Sequence, residues 1–260
     1  MSDILSVVTA SEKRKNLLLL LRNGPRTMDE IRAILNVTTT GMLPQIKILT
    51  EHGLVTKERG EYRLTVLGEI ISAHLKDLVD TLDVLEREET YWRDHDLSAI
   101  PPHLRMRIRE LAGYRLISSG EEELYESHHE FLEKIRHSQR VHGFSPVLHP
   151  VYPRFFLDLA RKGTEITLIL TESVYEKCQR QYGEMLEEGM RYENARLQIS
   201  NEEFRFAFVV TDIFFSLTLF FRDGRFDTKV DLNSLDSNAL KWGEDLFTYC
   251  LERSRPAARR

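Results

Sequence analysis

The chain has 260 residues, of which 42% are hydrophobic and 30% are charged, a balance typical of globular rather than disordered proteins. No apolar run approaches the roughly 20 residues that a membrane span requires. The N-terminal residues also lack the basic and apolar segments of a signal peptide. The only cysteines are Cys178 and Cys250, which excludes a disulfide framework and indicates a reducing compartment. We therefore expect a cytoplasmic protein with no membrane partner.

The net charge of −5 is unevenly distributed. Residues 1–66 hold ten Lys/Arg against seven Asp/Glu, whereas the remainder holds 26 against 34. Because the N-terminal segment is mildly basic and the remainder of the chain is acidic, a polyanion is expected to bind the N-terminal segment.

Three short helices are predicted in the N-terminal segment. Ser11 begins the first, Thr27 and Glu30 form a capping box on the second, and one of residues 38–40 caps the third. Gly53 ends the third helix, because glycine adopts the left-handed conformation without strain.

A small hairpin follows the third helix. Its strands are predicted over Val55–Glu58 and Glu61–Leu64, around a turn at Arg59-Gly60. Three helices and a hairpin within about 60 residues form the layout of a winged helix-turn-helix, whose third helix enters the major groove of double-stranded DNA. The DNA-contacting candidates on the third helix and the wing are Thr38, Thr39, Thr40, Gln45, Lys47, Lys57, Arg59 and Arg63. A winged helix can also dock a protein, so an interaction adaptor remains an alternative.

One long helix is predicted from Leu67 to about His95. Its apolar residues alternate at spacings of four and three, which is a heptad seam. Such a stripe must be buried, either against the chain's own C-terminal domain or in a homodimer. Both remain open at this point. The seam residues are Ile71, Leu75, Leu78, Leu82, Leu85 and Trp92.

A second domain is predicted after a linker at Asp94–Pro102. A helix is predicted over 124–136. Strands then alternate with helices from residue 140 to residue 199, which favours parallel pairing in an α/β sheet. An antiparallel pair over 204–221 and a closing helix over 238–253 complete it. The predicted domains are 1–66, 67–100 and 101–260.

Polar residues lie where the predicted parallel strands end, which is the position that open α/β sheets favour for ligands. We expect a small-molecule effector at this edge. For Ser145 and Thr171, ordinary helix capping is an equal alternative. The ligand-binding candidates are His142, Ser145, His149, Thr171 and Glu172.

Motifs of common enzymes are absent from the sequence. It has no GxxxxGK[ST] or GxSxG motif and no histidine pair with a zinc spacing. The run HLKDLVDT at 74–81 approaches the phospholipase D motif HxKxxxxD but has Thr81 in place of the aspartate. We therefore predict no catalytic residues, no metal and no cofactor, with hydrolase activity of the second domain as the alternative function.

Two stretches carry a family resemblance. The segment LNVTTTGMLPQIKILTEHGLV, followed by YRLTVLG, resembles archaeal winged-helix transcription regulators related to the arsenical-resistance repressors. The segment HGFSPVLHPVYPRFFLDLARKGTEITLILTESVYEK is similar to the C-terminal domain of the methanogenesis regulatory protein family. The resemblance implies a DNA-binding regulator whose second domain senses a small molecule or a partner. It also implies a phospholipase D-like fold that lacks the catalytic residues.

The expected fold class is therefore α+β. It comprises an N-terminal winged helix-turn-helix, a long linker helix and a C-terminal α/β sensor domain. The expected function is that of a homodimeric transcriptional regulator.

Overall fold

The computed structural model describes residues 3–118 and 131–257. Contacts divide the chain into two units, Met1–Leu82 and Asp83–Arg260. The fold class is α+β, as predicted: a helical unit with a two-stranded hairpin, and a unit built on an eight-stranded sheet.

The first unit contains the predicted winged helix-turn-helix and one helix that was not predicted. Ser11, Thr27 and Thr38 each cap the helix that follows them, and Glu30 completes the capping box at Thr27. The unpredicted helix is α1, which Asp3 caps. The helices are α1 (Ile4–Thr9), α2 (Glu12–Leu21), α3 (Met28–Leu35) and α4 (Thr39–Glu51).

The hairpin has the predicted strands, β1 (Val55–Glu58) and β2 (Glu61–Leu64), in antiparallel register. Arg59 and Gly60 both have positive φ, 53° and 92°. Two such residues form the tight turn whose twist matches that of paired strands. Leu54 and Val55 are buried in the core of the first unit.

Helix α5 (Val66–Arg87) is shorter than predicted. It stops because the Val84 carbonyl accepts hydrogen bonds from Trp92 Nε1 at 2.9 Å and Tyr114 Oη at 3.0 Å. Glu88 leaves the helical conformation, with φ −136° and ψ 58°. A separate short helix, α6 (Glu89–Asp94), follows. The single helix predicted to residue 95 is therefore wrong at its C-terminal end.

The linker predicted at Asp94–Pro102 is also wrong, because this segment is packed into the core of the second unit. Ile100 is fully buried. His95 Nε2 lies 3.0 Å from Asp227 Oδ2, and each side chain is only 3% exposed. A 3₁₀ turn (Leu97–Ala99), helix α7 (Pro102–Arg105) and a second 3₁₀ turn (Ile108–Leu111) follow.

The sheet of the second unit has the order β10-β6-β5-β4-β7-β8-β9-β3. As predicted, β4, β5 and β6 are parallel, and β7 and β8 are antiparallel. Strands β9 and β10 were not predicted. The strands are β3 (Arg115–Ser118), β4 (Arg140–Ser145), β5 (Glu165–Leu170), β6 (Ala195–Ser200), β7 (Phe206–Thr211), β8 (Phe215–Leu219), β9 (Val230–Ser234) and β10 (Ser254–Pro256).

Helices cover both faces of this sheet. Successive strand residues face opposite sides, so Val141 packs with α9 whereas Phe144 packs with α11. Helices α9 and α10 therefore share one face, and α11 lies on the other. The helices are α8 (131–136), α9 (Tyr152–Arg161), α10 (Glu172–Gly189) and α11 (Ser237–Leu251). The first part of the helix predicted over 124–136 lies outside the described residues.

Candidate nucleic-acid interface and effector site

Helix α4 has one buried face and one exposed face. Met42, Ile46 and Leu49 are buried in the core of the first unit. The exposed residues recur at spacings of three and four, which places them on one side of the helix. They are Thr40, Leu43, Pro44, Lys47, Thr50 and Glu51. Lys47 lies 3.8 Å from Glu51, and its side chain is 76% exposed.

The N-terminus of α4 carries hydroxyl groups and a nearby cation. Thr38 Oγ1 accepts a hydrogen bond from the Gly41 amide at 3.2 Å and lies 3.3 Å from Thr40 Oγ1. The Lys13 ammonium, from α2, lies beside Gly41, about 3.1 Å from the position a β-carbon would occupy there. Sequence reasoning missed Lys13, because it lies 28 positions away in the chain.

Gln45 is held inside the first unit. Its Oε1 accepts hydrogen bonds from Arg14 Nη1 at 2.8 Å and Ser11 Oγ at 3.3 Å. The Gln45 side chain thereby joins α4 to α2, and it is half-buried.

The three candidate cations of the wing have different surroundings. Arg63 pairs with Glu58 across the hairpin at 3.1 Å. The Lys57 ammonium lies 5.0 Å from the centre of the Tyr62 ring. Arg59, at the tip, is exposed and takes part in none of the ion pairs among the described residues.

The structure does not gather the five effector candidates. His142 faces α11, where its Nδ1 lies 2.9 Å from Glu244 Oε2 and its ring stacks on Phe247 at 4.0 Å. Burial would raise the pKa of Glu244, but the hydrogen bond and charge of His142 and the charge of Arg140 outweigh it and lower that pKa. Ser145 lies on the opposite face of the sheet, so the prediction that it shares an effector site with His142 is wrong.

The other candidates make local contacts. Ser145 Oγ donates to the Val147 carbonyl at 2.7 Å. His149 Nδ1 accepts from the Val151 amide, and burial lowers the pKa of this imidazole. Thr171 caps α10, and Glu172 pairs with Arg255 of β10.

An apolar cavity lies on the face of the sheet covered by α9 and α10. Its volume is about 140 Å³. Ser145 is the one effector candidate that lines it. The other lining residues could not be predicted from the sequence, because the cavity depends both on the alternation of strand side chains and on how the helices pack over them. Representative lining residues are Gly143, Leu168, Cys178, Met185 and Leu186.

Family comparison identifies this architecture. The model of the N-terminal domain of methanogenesis regulatory protein FilR1 matches residues 2–83, and the model of its middle domain matches residues 124–253. The chain belongs to the FilR1 family. This result confirms the family resemblance found in the sequence.

A curated relative of this family is methanogenesis regulatory protein FilR1 from Methanothrix harundinacea (strain 6Ac). It is 29% identical over 260 residues, and the match covers 96% of this chain and 57% of the relative. The chain thus spans little more than half the length of that relative.

Solved structures show low similarity to this FilR1 family member. TrmBL2, described as an archaeal chromatin protein, has 11% identity and a TM-score of 0.44, with 94% of both chains covered. NucT from Helicobacter pylori has 14% identity and a TM-score of 0.45, and it covers 55% of this chain and 98% of its own. Nuc from Salmonella typhimurium, a phospholipase D family member, has 10% identity and a TM-score of 0.42, with coverage of 55% and 97%. Similarity at this level does not establish a shared function.

The described residues contain neither a metal-binding cluster nor a membrane-spanning helix. Within residues 3–118 and 131–257, no three His, Cys, Asp or Glu side chains cluster in a way that could hold a metal ion. No helix in that part of the chain is long and apolar enough to span a bilayer.

Proposed function

We propose that this FilR1 family member is a transcriptional regulator that binds double-stranded DNA through its winged helix-turn-helix. The observation that carries the proposal is the exposed face of α4, because its side chains, with Lys47 among them, are open to solvent and can reach a DNA groove. Lys47 contacts phosphate or a base edge, and Leu43, which is 46% exposed, contacts a thymine methyl group. Thr40 and Lys13, at the N-terminus of α4, hold a backbone phosphate.

The wing supplies phosphate contacts, and its cations differ in availability. Glu58 neutralises much of the charge of Arg63, so Arg59 makes the main contact. Lys57 and Arg63 make weaker ones. Gln45 contributes indirectly, since its bonds to Arg14 and Ser11 fix the position of α4 on α2. Thr38 and Thr39 act at the helix N-terminus rather than on bases.

The second unit acts as the sensor in this proposal. Helix α5 contributes Leu75 to the core of the first unit and Val84 to the core of the second. A ligand that prefers one arrangement of the second unit therefore changes the surroundings of a helix that belongs to both. That difference in binding free energy is the coupling that alters DNA affinity.

We also propose a homodimer. The seam residues of α5 divide into two groups, because Leu75 is buried within its own unit whereas Leu78 and Leu82 are 50% and 42% exposed. Two large apolar residues one turn apart on the same face suit a second copy of the helix. Sedimentation that gives twice the 30.5 kDa mass of the chain would support the homodimer, and the single mass would refute it.

The decisive experiment is fluorescence anisotropy of the purified protein on duplex DNA across a salt series. The chain's own upstream duplex and a random duplex are compared. Arg59→Ala is expected to weaken binding to both duplexes alike and to reduce the slope of log K against log salt by about one, because one phosphate contact is lost.

Lys76→Ala is the matched control. Lys76 also carries one positive charge in the first unit, but on α5, where it pairs with Asp80. The Lys76→Ala variant should leave the slope of log K against log salt unchanged. If both variants change the slope equally, the wing assignment is refuted. If the wild-type protein shows no salt-dependent affinity for either duplex, the DNA proposal fails and the protein-docking alternative replaces it.

A further inference from the structure

The apolar cavity lies against the centre of the sheet. Gly143 of β4 pairs in register with Leu168 of β5 on one side and Val209 of β7 on the other, and all three residues line it. A β-carbon on Gly143 would lie 3.1 Å from the Phe208 carbonyl oxygen and 3.5 Å from Leu168. Even a β-carbon would therefore be crowded here, so the glycine lets the neighbouring strands lie close together and keeps any side chain from projecting from β4 into the cavity. Glycine inside a central strand often marks a site where a ligand or another backbone approaches closely.

The cavity walls are large apolar side chains that the protein only partly covers. Leu168 lies in a central strand beneath two helices, yet it is half-buried rather than buried. Met185 and Leu186 of α10 are half-buried as well. Protein interiors are close-packed, with few voids larger than a water molecule. Partly covered leucine and methionine around an open volume therefore indicate space for a ligand.

Charged and polar groups are scarce in this cavity. The hydroxyl of Ser145 is already bonded to the Val147 carbonyl. Arg196 is the one charged residue in the lining. Because strand side chains alternate, its guanidinium points away from the face that Ala195 and Leu197 present to the cavity. Tyr152 also lines the cavity, and burial raises the pKa of its hydroxyl to about 12, so the side chain stays neutral. An ionised ligand would lose its hydration here without gaining a partner of opposite charge.

Helix α10 is bent beside the cavity. Tyr182 has a non-helical backbone, with φ −138° and ψ 30°. Cys178 lines the cavity before this bend, and Met185 lines it after the bend. A ligand that touches both sides thus favours one bend angle over others.

From this geometry, we infer that the cavity beneath α9 and α10 binds a small, neutral, apolar molecule about the size of benzene. An apolar protein cavity of about 150 Å³ stays dry and binds benzene, and this one has about 140 Å³. As the effector site of a regulator, the cavity rests on the function proposed above. As a binding site, it stands on the cavity alone.

Benzene itself is the probe for the first test, with protein carrying ¹³C-methyl methionine. Met28, Met42 and Met106 do not line the cavity and serve as internal references. Benzene should move the methyl signals of Met185 and Met190 saturably and leave those of Met28 and Met42 in place. Signals of Met185 and Met190 that stay unmoved at saturating benzene would overturn the inference.

A filling substitution provides the second test. Leu186→Trp adds an indole to the cavity wall and should abolish the saturable shift. Leu251→Trp is the matched control, because Leu251 is also a partly exposed helical leucine of the second unit but does not line the cavity. Benzene binding by Leu186→Trp at wild-type strength would overturn the inference.

A third measurement needs no variant. Cys178 lines the cavity, whereas Cys250 is fully buried in α11. Benzene should slow the modification of Cys178 by methyl methanethiosulfonate and leave Cys250 unchanged. An unchanged Cys178 rate would count against the site even if Leu186→Trp fails to fold.

The ligand site and the proposed function can be refuted independently of each other. Benzene binding without any effect of benzene on DNA anisotropy would keep the cavity as a ligand site and refute its role as the effector site. DNA binding by a protein that does not respond to benzene in any of the three measurements would keep the regulator and refute the cavity.

Discussion

Gly68→Ala should destabilise the first unit, although the substitution lies inside a helix. Gly68 is in the first turn of α5, where alanine is favoured over glycine by about 1 kcal/mol. A β-carbon there would lie only 2.0 Å from the carbonyl oxygen of Leu54 and 3.0 Å from its carbonyl carbon. These are backbone atoms at the start of the wing, so no side-chain rotation can relieve the clash.

The size of the effect follows from the displacement that is required. Real β-carbons essentially never approach other atoms within 3.0 Å, so α5 and Leu54 must separate by about 1 Å. Overpacking of this kind costs about 1–3 kcal/mol. The Leu54 carbonyl also accepts a hydrogen bond from the Thr65 amide at 3.0 Å, and weakening it adds about 1 kcal/mol. After subtracting the helix preference, we expect a net loss of about 2 kcal/mol.

Urea unfolding followed by the ¹³C-methyl signal of Met42, which is buried in the first unit, measures this loss. The midpoint should fall by about 1–2 M, given an m-value near 1–2 kcal/mol/M for a unit of this size. Gly183→Ala in α10 is the control, because a β-carbon there meets nothing within 4 Å. A midpoint for Gly68→Ala at or above the wild-type value would refute the reasoning.

Two further predictions concern the second unit, which contains both tryptophans. Tyr114→Phe removes one of two donors to the Val84 carbonyl, and the urea midpoint by tryptophan fluorescence should fall by the equivalent of about 1 kcal/mol; an unchanged midpoint would exclude this role. Glu244→Gln should cost about 1 kcal/mol near pH 7. Because the pKa of Glu244 is lowered in the folded state, its contribution is present above the ordinary value of 4.5 and is lost as pH falls through the lower folded-state value. A difference between wild type and variant that does not shrink as the pH falls below 4.5 would contradict this assignment.

The winged helix-turn-helix was predictable because its signals are local. Caps at Ser11, Thr27 and Thr38 are formed by residues within three positions of their partners. The hairpin turn depends on two adjacent residues, Arg59 and Gly60. Such signals are complete within a short window of sequence, so the starts of α2, α3 and α4 and the two wing strands agree with the prediction.

The end of α5 could not be predicted in the same way. The pattern of apolar residues continues to Trp92, and nothing at Glu88 forbids a helix. The helix stops because Trp92 and Tyr114 together bond the Val84 carbonyl, and Tyr114 lies 30 positions beyond Val84. The same holds for His95, whose partner Asp227 is 132 positions away. Because its contacts join residues far apart in the sequence, the segment predicted as a linker is buried in the core of the second unit.

Alternation along a strand separates two of the effector candidates. His142 and Ser145 are three positions apart in one strand, so their side chains must face opposite sides of the sheet. Parallel strands joined by helices have right-handed crossovers, which puts α9 and α10 on one face and leaves α11 to cover the other. The alternation of strand side chains and the handedness of the crossovers together therefore place His142 against α11 and Ser145 beside the cavity. The empty volume itself depends on how α9 and the bent α10 pack over Gly143. No periodicity in the sequence encodes that packing.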